Sequence, residues 1–555
     1  GVTVVVKGTT TGTITGVDGT YTIQLPASAE ILSFSFVGMR AQEIAIAGQS
    51  VINLTMFEEA IGVDEVVVVG YGVQKKVNLT GAVAAVKIDE KIASRALTNV
   101  SSGLAGLVSG LMVTQNSGMA GSDGAVLRIR GIGSPNNTNP LIVVDGMPDV
   151  DINNINMNDI ESVSVLKDAA SSAIYGSRAA NGVILITTKR GETGKVKLNY
   201  TGSYSFQNLT NYYESLDDYP RVLEYHNMSL MNAGKARRFM DGTIEQWMAM
   251  EHIDPIRFPN TDWWDVIYKT GVVQNHALSA SGGNDKMNFF VSAGLMTDDG
   301  LSINTGYDRK NFRTNLDYKI LENLKMGVNV DGTWSNQHYP TRDGITNMDA
   351  SSPDEIFKQT PGVTVLDELG RYGGHMAYME NNLSRNQYAN LMNSHNEIAE
   401  QQFIGKYYGE WEPLKGLTAH IDYSLNYINR FNKSYSVPFI RWNLQTDEPL
   451  DVITSNGSIS NSFNNSYKTL LQGFLSFTSE IFDGHNLSAM AVYSEEYWFG
   501  RSLSGSRQDR IHPDLSEING ALSDRPSASG TSYGEGLRSY IGRVNYNINE
   551  KYLFE

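Results

Sequence analysis

From Lys195 onward the chain repeats one pattern, in which apolar and polar side chains alternate strictly over roughly ten residues before a connection follows. In KVKLNYTGSYSF, Val196, Leu198, Tyr200, Tyr204 and Phe206 share one face, while Lys195, Lys197, Asn199, Thr201 and Ser203 share the other. Successive side chains of a strand point to opposite faces, so each such segment presents one apolar and one polar surface. The alternation returns in MNFFVSAGLM (Met287, Phe289, Val291, Ala293, Leu295), in NLKMGVNVDGTW (Leu324, Met326, Val328, Val330) and in GLTAHIDYSLNY (Leu417, Ala419, Ile421, Tyr423, Leu425, Tyr427). YKTLLQGFLSF, HNLSAMAVY and GLRSYIGRVNYNI repeat it again. Alternation fits a soluble sandwich with an apolar core, and equally a membrane barrel with an apolar outside and a polar lumen.

The connections separate the two. SGGNDK (Ser281 to Lys286), ILEN (Ile320 to Asn323), EPLKG (Glu412 to Gly416) and FDGH (Phe482 to His485) are tight. Interleaved with them are long polar stretches at about 207–273, 336–401, 429–466 and 499–534, with a shorter one near 297–309. Long structureless loops argue against a compact soluble domain, but one side of an outer-membrane barrel carries them. The short turns are then expected to face the periplasm. No run of about 18 apolar residues is present, which excludes a membrane helix and leaves a barrel open. About ten strands follow Lys195, and another begins at KYLFE, so part of a barrel of about 22 strands is expected.

The N-terminal part has other textures. VTVVVKG, TGTITGVDGTYTIQLP, ILSFSFVGM and VINLTM, with Asp18-Gly19 as a hairpin turn, predict a small antiparallel β-sandwich over residues 1–57. Residues 78–193 mix helix and strand signals. VSSGLAGLVSGLMV reads as a short helix, GAVLRIRGIGS as a strand ending in a glycine loop, and NPLIVVDGMP as a strand closed by Asp145-Gly146. A helix from Asp168 to Tyr175 is expected between two further strands, which together make a compact α+β domain. Gly1 opens directly into strand-like VTVVV, as if within a domain.

The ordered blocks IRGIGS (Ile129 to Ser134), LIVVDGMP (Leu141 to Pro148) and DIESVSVLKDAASSAIYGSRAANGVILITTKRG (Asp159 to Gly191) resemble the plug domain of TonB-dependent outer-membrane transporters. YGSRAANGVILITTKRG in particular resembles the SusC-like branch of Bacteroidetes. TGTITGVDGTYTIQLP is similar to the carboxypeptidase regulatory-like domain that precedes such receptors, and NTDWWDVIYKTGVVQNHALSASGG (Asn260 to Gly283) resembles their early barrel. The resemblance implies four parts: a regulatory-like sandwich (1–57), a linker with a TonB box (58–77), a plug (78–193) and the first part of a transmembrane barrel (194–555). The implied activity is TonB-dependent import of a nutrient oligomer, an oligosaccharide first and an oligopeptide next. The implied partners are TonB with inner-membrane ExbB and ExbD, a SusD-like surface lipoprotein acting as a lid, and outer-membrane lipid. A dimer of transporter–lipoprotein pairs is a further expectation. The alternatives are a siderophore or cobalamin receptor of the same broad class, and a secreted β-rich adhesin or glycan-processing enzyme. The plug wording and the regulatory-like domain count against the first, and the plug blocks count against the second.

DEVVVVGYGVQKK lies in the linker. Four valines alone read as a core strand. Their place between two self-contained domains, after the acidic FEEAIGVDE and before the plug, makes Glu65, Val66, Val67, Val68, Val69, Gly70, Tyr71 and Gly72 the expected TonB box. An occluded outer-membrane barrel has neither ATP nor an ion gradient, so work arrives through mechanical contact. An extended segment adds as a strand to a partner's sheet edge through main-chain hydrogen bonds. The β-branched valines favour extension, and the glycines end the run.

Within the plug, Arg128, Arg130, Glu161, Asp168 and Arg178 are charges among small residues, and they are expected to meet barrel-wall groups and set the force of plug release. GIGSPNNTNP carries Ser134, Asn136 and Asn137 toward an expected substrate chamber. Trp263 and Trp264 are candidates for sugar stacking, with membrane anchoring or loop packing as the commoner uses of such a pair. Tyr212, Tyr213, Trp334, Tyr339, Tyr372 and Tyr378 are further aromatic candidates in the loops. The net charge of −16 argues against a nucleic-acid partner, and zero cysteines remove thiolate chemistry. No H-E-x-x-H, Walker or G-x-S-x-G sequence is present, so neither catalysis nor a cofactor is expected. DVDINN (Asp149 to Asn154) starts like a calcium loop, but it lacks the sixth-position glycine and has Ile160 at position twelve.

Overall fold

The computed structural model describes every residue except 1, 8, 10, 17, 27–28, 30, 37–38, 57–65, 70–71, 76–81, 89–96, 133–137, 211–213, 343–344, 350–355, 375–385, 451–456, 550–551 and 555. The chain divides into two compact units, Gly1–Thr80 and Gly81–Glu555.

In the first unit, Thr3–Val6 pairs antiparallel with both Gly12–Ile14 and Ile31–Phe36, and Ile31–Phe36 pairs with Met39–Ala45. Alternate residues Val4, Val6, Leu32 and Phe34 form the buried face with Ile46. Tyr21, Ile23, Ile52 and Leu54 cover that face from outside the sheet, and the Tyr21 hydroxyl donates to the Ile52 carbonyl at 2.9 Å. The second layer expected of a sandwich is thus extended chain, with no second described sheet. Gly19 adopts φ of 81° beside Asp18, the left-handed geometry its turn needs. Val66–Val69 pairs with Gly72–Lys75 in a two-stranded ribbon whose innermost register is Val69↔Gly72. The valine run, expected as a strand with no sheet of its own, therefore has Gly72–Lys75 as its partner. Neither strand joins another described sheet.

The second unit begins with a five-stranded sheet in the order Met147–Pro148, Leu141–Val144, Val183–Thr188, Ile160–Leu166, Val83–Lys87. Leu141–Val144 runs parallel to Val183–Thr188, and the other pairs are antiparallel. Asp145 and Gly146 close the LIVV–MP hairpin with φ of 48° and 92°, as the Asp-Gly pair predicts. Its core contains Val163, Val165, Ile184 and Ile186, with Leu104, Ile152 and Ile155 from the flanking turns. The expected Asp168–Tyr175 helix is α-helical only over Ala169–Ser172 and continues as a 3-10 segment, Ala173–Ala179. Gly176, at φ of 62°, breaks it.

Around this domain runs an eleven-stranded antiparallel sheet in sequence order. Its strands are Gly194–Gln207, Gly271–Gly283, Met287–Asp298, Gly306–Leu321, Leu324–Tyr339, Ser394–Leu414, Leu417–Ser436, Ser458–Phe482, His485–Gln508, Ser527–Ile548 and Tyr552–Phe554. The predicted faces hold. Val196, Leu198, Tyr204 and Phe206 are exposed, as are Leu278, Val291, Leu295, Met326 and Ile421. On the opposite face Arg309, Asn311, Arg313, Asn315, Asn329, Asp331, Thr333, Gln402, Asp422, Asn426 and Gln472 are buried. Apolar outside and polar inside is the inversion a lipid solvent demands. A membrane crossing uses about 9–11 residues, so the 25-residue strand Ser458–Phe482 runs on into chain expected to be loop.

The long connections are not structureless. The first contains helices Tyr219–Asn232, Asp241–Met250 and Trp263–Ile267. Asp218 caps the first of these by accepting from the Arg221 amide at 3.1 Å, with Pro220 in its first turn. Tyr219, Leu223, Phe239, Ile244, Trp247 and Phe258 give this connection a buried core.

Candidate functional site

The plug sheet and the polar face of the wall meet in a chain of charged contacts. Its centre is Arg313, only 3% exposed, on the fourth wall strand. Its guanidinium faces plug Asp145 at 3.5 Å, plug Asp159 at 3.8 Å and wall Asp331 at 2.9 Å. The Asp145 carboxylate also accepts from the Thr188 amide at 3.1 Å and hydroxyl at 2.7 Å, which fixes the hairpin turn to the neighbouring plug strand. Asn315 donates to the Thr188 hydroxyl at 3.0 Å and to the Lys189 carbonyl at 2.7 Å. Lys406 donates to the Asp145 carbonyl at 2.9 Å and lies 3.7 Å from Asp422. Burial pushes the Asp159 carboxyl above the usual carboxylate range, and the Arg313 charge opposes that rise.

Two further contacts flank this centre. Arg190, where the plug passes into the wall, donates to Asp317 at 3.0 Å and to the Tyr408 hydroxyl at 2.7 Å. Burial disfavours its charge, but Asp145, Tyr408 and Asp317 outweigh that and hold the guanidinium protonated. On the other side Arg178 grips Glu496 with two parallel hydrogen bonds of 2.8 and 2.7 Å, and Lys468 bridges Glu496 at 3.0 Å to plug Asp149 at 2.5 Å. Bidentate geometry of this kind is the strong form of the carboxylate–guanidinium pair. The DVDINN segment joins the same interface. Asn154 donates to Gln402 at 2.9 Å and Glu400 at 3.3 Å, and Arg309 donates to the Asn153 carbonyl.

Of the plug charges singled out in the sequence, Arg178 is the one with a described wall carboxylate. The described partner of Arg128 is Thr138, at 3.5 Å within the plug. Asp168 caps the short helix at the Ser171 amide, 2.8 Å away, and also accepts from the Ala82 amide. The nearby Arg130 charge helps hold the Asp168 carboxylate ionised. Glu161 is half-buried on the plug strand Ile160–Leu166 and borders a cavity shared with Lys87, Lys189 and Lys197. Trp263 and Trp264 are 4% and 6% exposed and pack on Ile267, Ile356, Val363 and Leu391. The Trp263 indole donates to the Thr360 carbonyl at 2.8 Å, so the pair builds the loop core and offers no open face for a sugar. Ser134, Asn136 and Asn137 lie outside the described residues, as do Glu65, Gly70 and Tyr71 of the linker segment. Arg313 was not singled out. Its signal was an arginine on the polar face of NFRTNLD, but the carboxylates that meet it come from segments far apart in sequence.

A mixed-sheet plug held by buried charges inside an antiparallel wall with an apolar exterior defines a plugged outer-membrane β-barrel. Residues 75–183 match the family described as TonB-dependent Receptor Plug Domain, and residues 1–68 match the CarboxypepD_reg-like domain. Over its whole length the chain is 31% identical to TonB-dependent receptor SusC of Bacteroides thetaiotaomicron, covering 54% of that protein. It is 30% identical to TonB-dependent receptor P3 of Formosa agariphila, again over its whole length, covering 52% of it. Its fold is shared with the RagAB peptide importer in the 'open-open' state, at a TM-score of 0.73 and 23% identity over 87% of this chain and 55% of that one. The chain spans about half the length of the curated relatives it matches. The chain thus carries a regulatory-like domain and a TonB-dependent receptor plug domain, and over its whole length it is similar to SusC-like receptors.

Proposed function

We propose that this chain is part of a TonB-dependent importer of a nutrient oligomer across the outer membrane. The observation that carries the reading is the occluding plug, tied to the lumen by a set of hydrogen-bonded ion pairs. Such a gate calls for work delivered from outside the barrel. The valine ribbon, Val66–Val69 with Gly72–Lys75, is the proposed handle, with Glu65 to Gly72 as the TonB box. A two-stranded ribbon is marginal by itself, so exchanging its own partner strand for the edge of TonB's sheet costs little. The energy source is then TonB with ExbB and ExbD, and a SusD-like lipoprotein supplies the lid on the side of the long connections. The proposed cargo is an oligosaccharide, with an oligopeptide as the next choice.

Deleting Glu65 to Gly72 from the full transporter tests this. Ligand binding is expected to survive while uptake is lost. Uptake at the wild-type rate would sink the assignment of the handle.

A further inference from the structure

At the tight-turn end of the wall the molecule gathers positive charge that the chain as a whole does not share. A cavity of about 480 Å³ lies there between the plug and the first wall strands. Its lining sets Lys87, Lys189, Arg190, Lys195 and Lys197 against Glu161 and Glu192, five cations to two carboxylates in a chain whose net charge is −16. Lys195 and Lys197 alternate with the exposed Val196 and Leu198, so strand geometry turns both lysines toward the plug. Ser281 lies opposite Lys197 in one ladder and opposite Phe290 in the next, so all three share that inner face. On the plug side, Lys87 ends the strand Val83–Lys87, and Lys189 directly follows Val183–Thr188.

Few of these charges are spent. Arg190 is engaged by Asp317 and Tyr408. Lys197 approaches Glu192 at 3.7 Å, but both side chains are largely exposed, and such a pair is worth little. Lys87, Lys189 and Lys195 have no carboxylate within ion-pair distance among the described residues, and Glu161 forms no described ion pair with any of them. A cleft lined by one sign of charge focuses its field and concentrates the opposite ion. Lysines are compact point charges that suit oxyanions, and the volume lies within the range of small-molecule sites, about 300–1,000 Å³. A neutral sugar or a cation gains nothing from this lining.

We propose that this cavity is an oxyanion site on the periplasmic side of the plug, and that the cargo it receives is an oligosaccharide bearing carboxylate or sulfate groups. The proposal rests on the import reading and narrows its cargo. Lys87 ties the site to the handle. Its strand comes first in the plug sheet after the valine ribbon and, among the described residues, pairs on one edge only, with Ile160–Leu166. Work delivered through the linker therefore reaches the wall of this cavity first, and cargo passing the loosened plug meets the lysines on its way out. A free periplasmic oxyanion offers the same chemistry, so the test separates the two sources.

That test is calorimetric titration of the purified full transporter with hexagalacturonate and a sulfated hexaose. Maltohexaose is the neutral control, and inorganic phosphate is the free oxyanion. At least one acidic hexaose is expected to bind the wild type, more tightly at low salt than at high. Lys189→Gln, Lys195→Gln and Lys197→Gln together should weaken it at least tenfold, and arginine at the same three positions should restore it to within a few-fold. Lys195→Gln alone, at an exposed residue with no described side-chain partner, leaves the fold intact and should weaken it several-fold. Affinity unmoved by the glutamine variants, no binding of either acidic hexaose, equal binding of maltohexaose, or binding of phosphate alone would each overturn the proposal. Failure of the import reading would appear separately, as undiminished uptake after deletion of Glu65 to Gly72.

Discussion

Arg313 sets one guanidinium among three buried carboxylates, so its removal and that of a partner should differ in size. Arg313→Met leaves Asp145, Asp159 and Asp331 facing one another without their cation. It is expected to cost about 3–5 kcal/mol, read as urea unfolding of the refolded transporter and as faster proteolysis of the plug. Asp159→Asn should cost well under half of that, because burial already favours the neutral carboxyl that the amide imitates. Asp168 supplies the pH dependence. Its partial burial raises its pKa, but the amides of Ala82 and Ser171 lower it further, and the net folded value lies below the usual one. A depressed carboxyl contributes stability above its unfolded pKa, about 3.9, and loses it as pH falls through the folded value. The advantage of wild type over Asp168→Asn in thermal unfolding should therefore shrink below about pH 4. At this scale the sequence was only partly legible. Arg178 and Asp168 were visible as charges among small residues, but Arg313 needs three dimensions to acquire its partners. At Trp263 and Trp264 the commoner use of such a pair, loop packing, is the one found, and the sugar-stacking candidacy falls away.

Elements were easier to read, because a strand's faces follow from a period of two whatever surrounds it. Every face assigned from alternation, Val196 through Tyr427, has its apolar members on the outside of the wall. Where the alternation stops, so did the reading. Strands continue past the membrane belt with polar residues on both faces, and the helices of the first long connection announce themselves only through Asp218-Tyr-Pro, a cap with a following proline. Two expectations follow for elements. Leu278→Arg, on the exposed face near the middle of its strand, should destabilise the inserted barrel by about 2–4 kcal/mol if it sits at the bilayer midplane, measured by reversible unfolding from vesicles. Val67→Pro removes a ladder donor from the proposed TonB-binding strand. Uptake should fall at least tenfold with ligand affinity unchanged, and a variant that imports normally would argue that the strand is not used.

For the molecule as a whole, the order of sandwich-like domain, plug and wall was legible because each has its own texture, and textures are local. How the plug sits against the wall was not, because ion pairs such as Arg178 with Glu496 join residues that no periodicity links. In the full transporter the wall predicts heat-modifiable migration in detergent gels, and a chain that migrates identically boiled and unboiled would contradict a closed barrel. One feature of the first long connection reaches beyond this chain. Tyr219, Leu223, Trp247 and Phe258 close on each other, and Asn227 ties the first helix to Phe239 at 2.7 Å, so the first two helices share a core of their own. The third does not, because Trp263 and Trp264 pack on Ile356, Val363 and Leu391 of the next long connection. Grafting the corresponding segment of a relative between Gln207 and Gly271 should therefore leave the barrel intact only when the partner connection is carried with it, which makes the two together a cassette through which one gate could be refitted for different cargo.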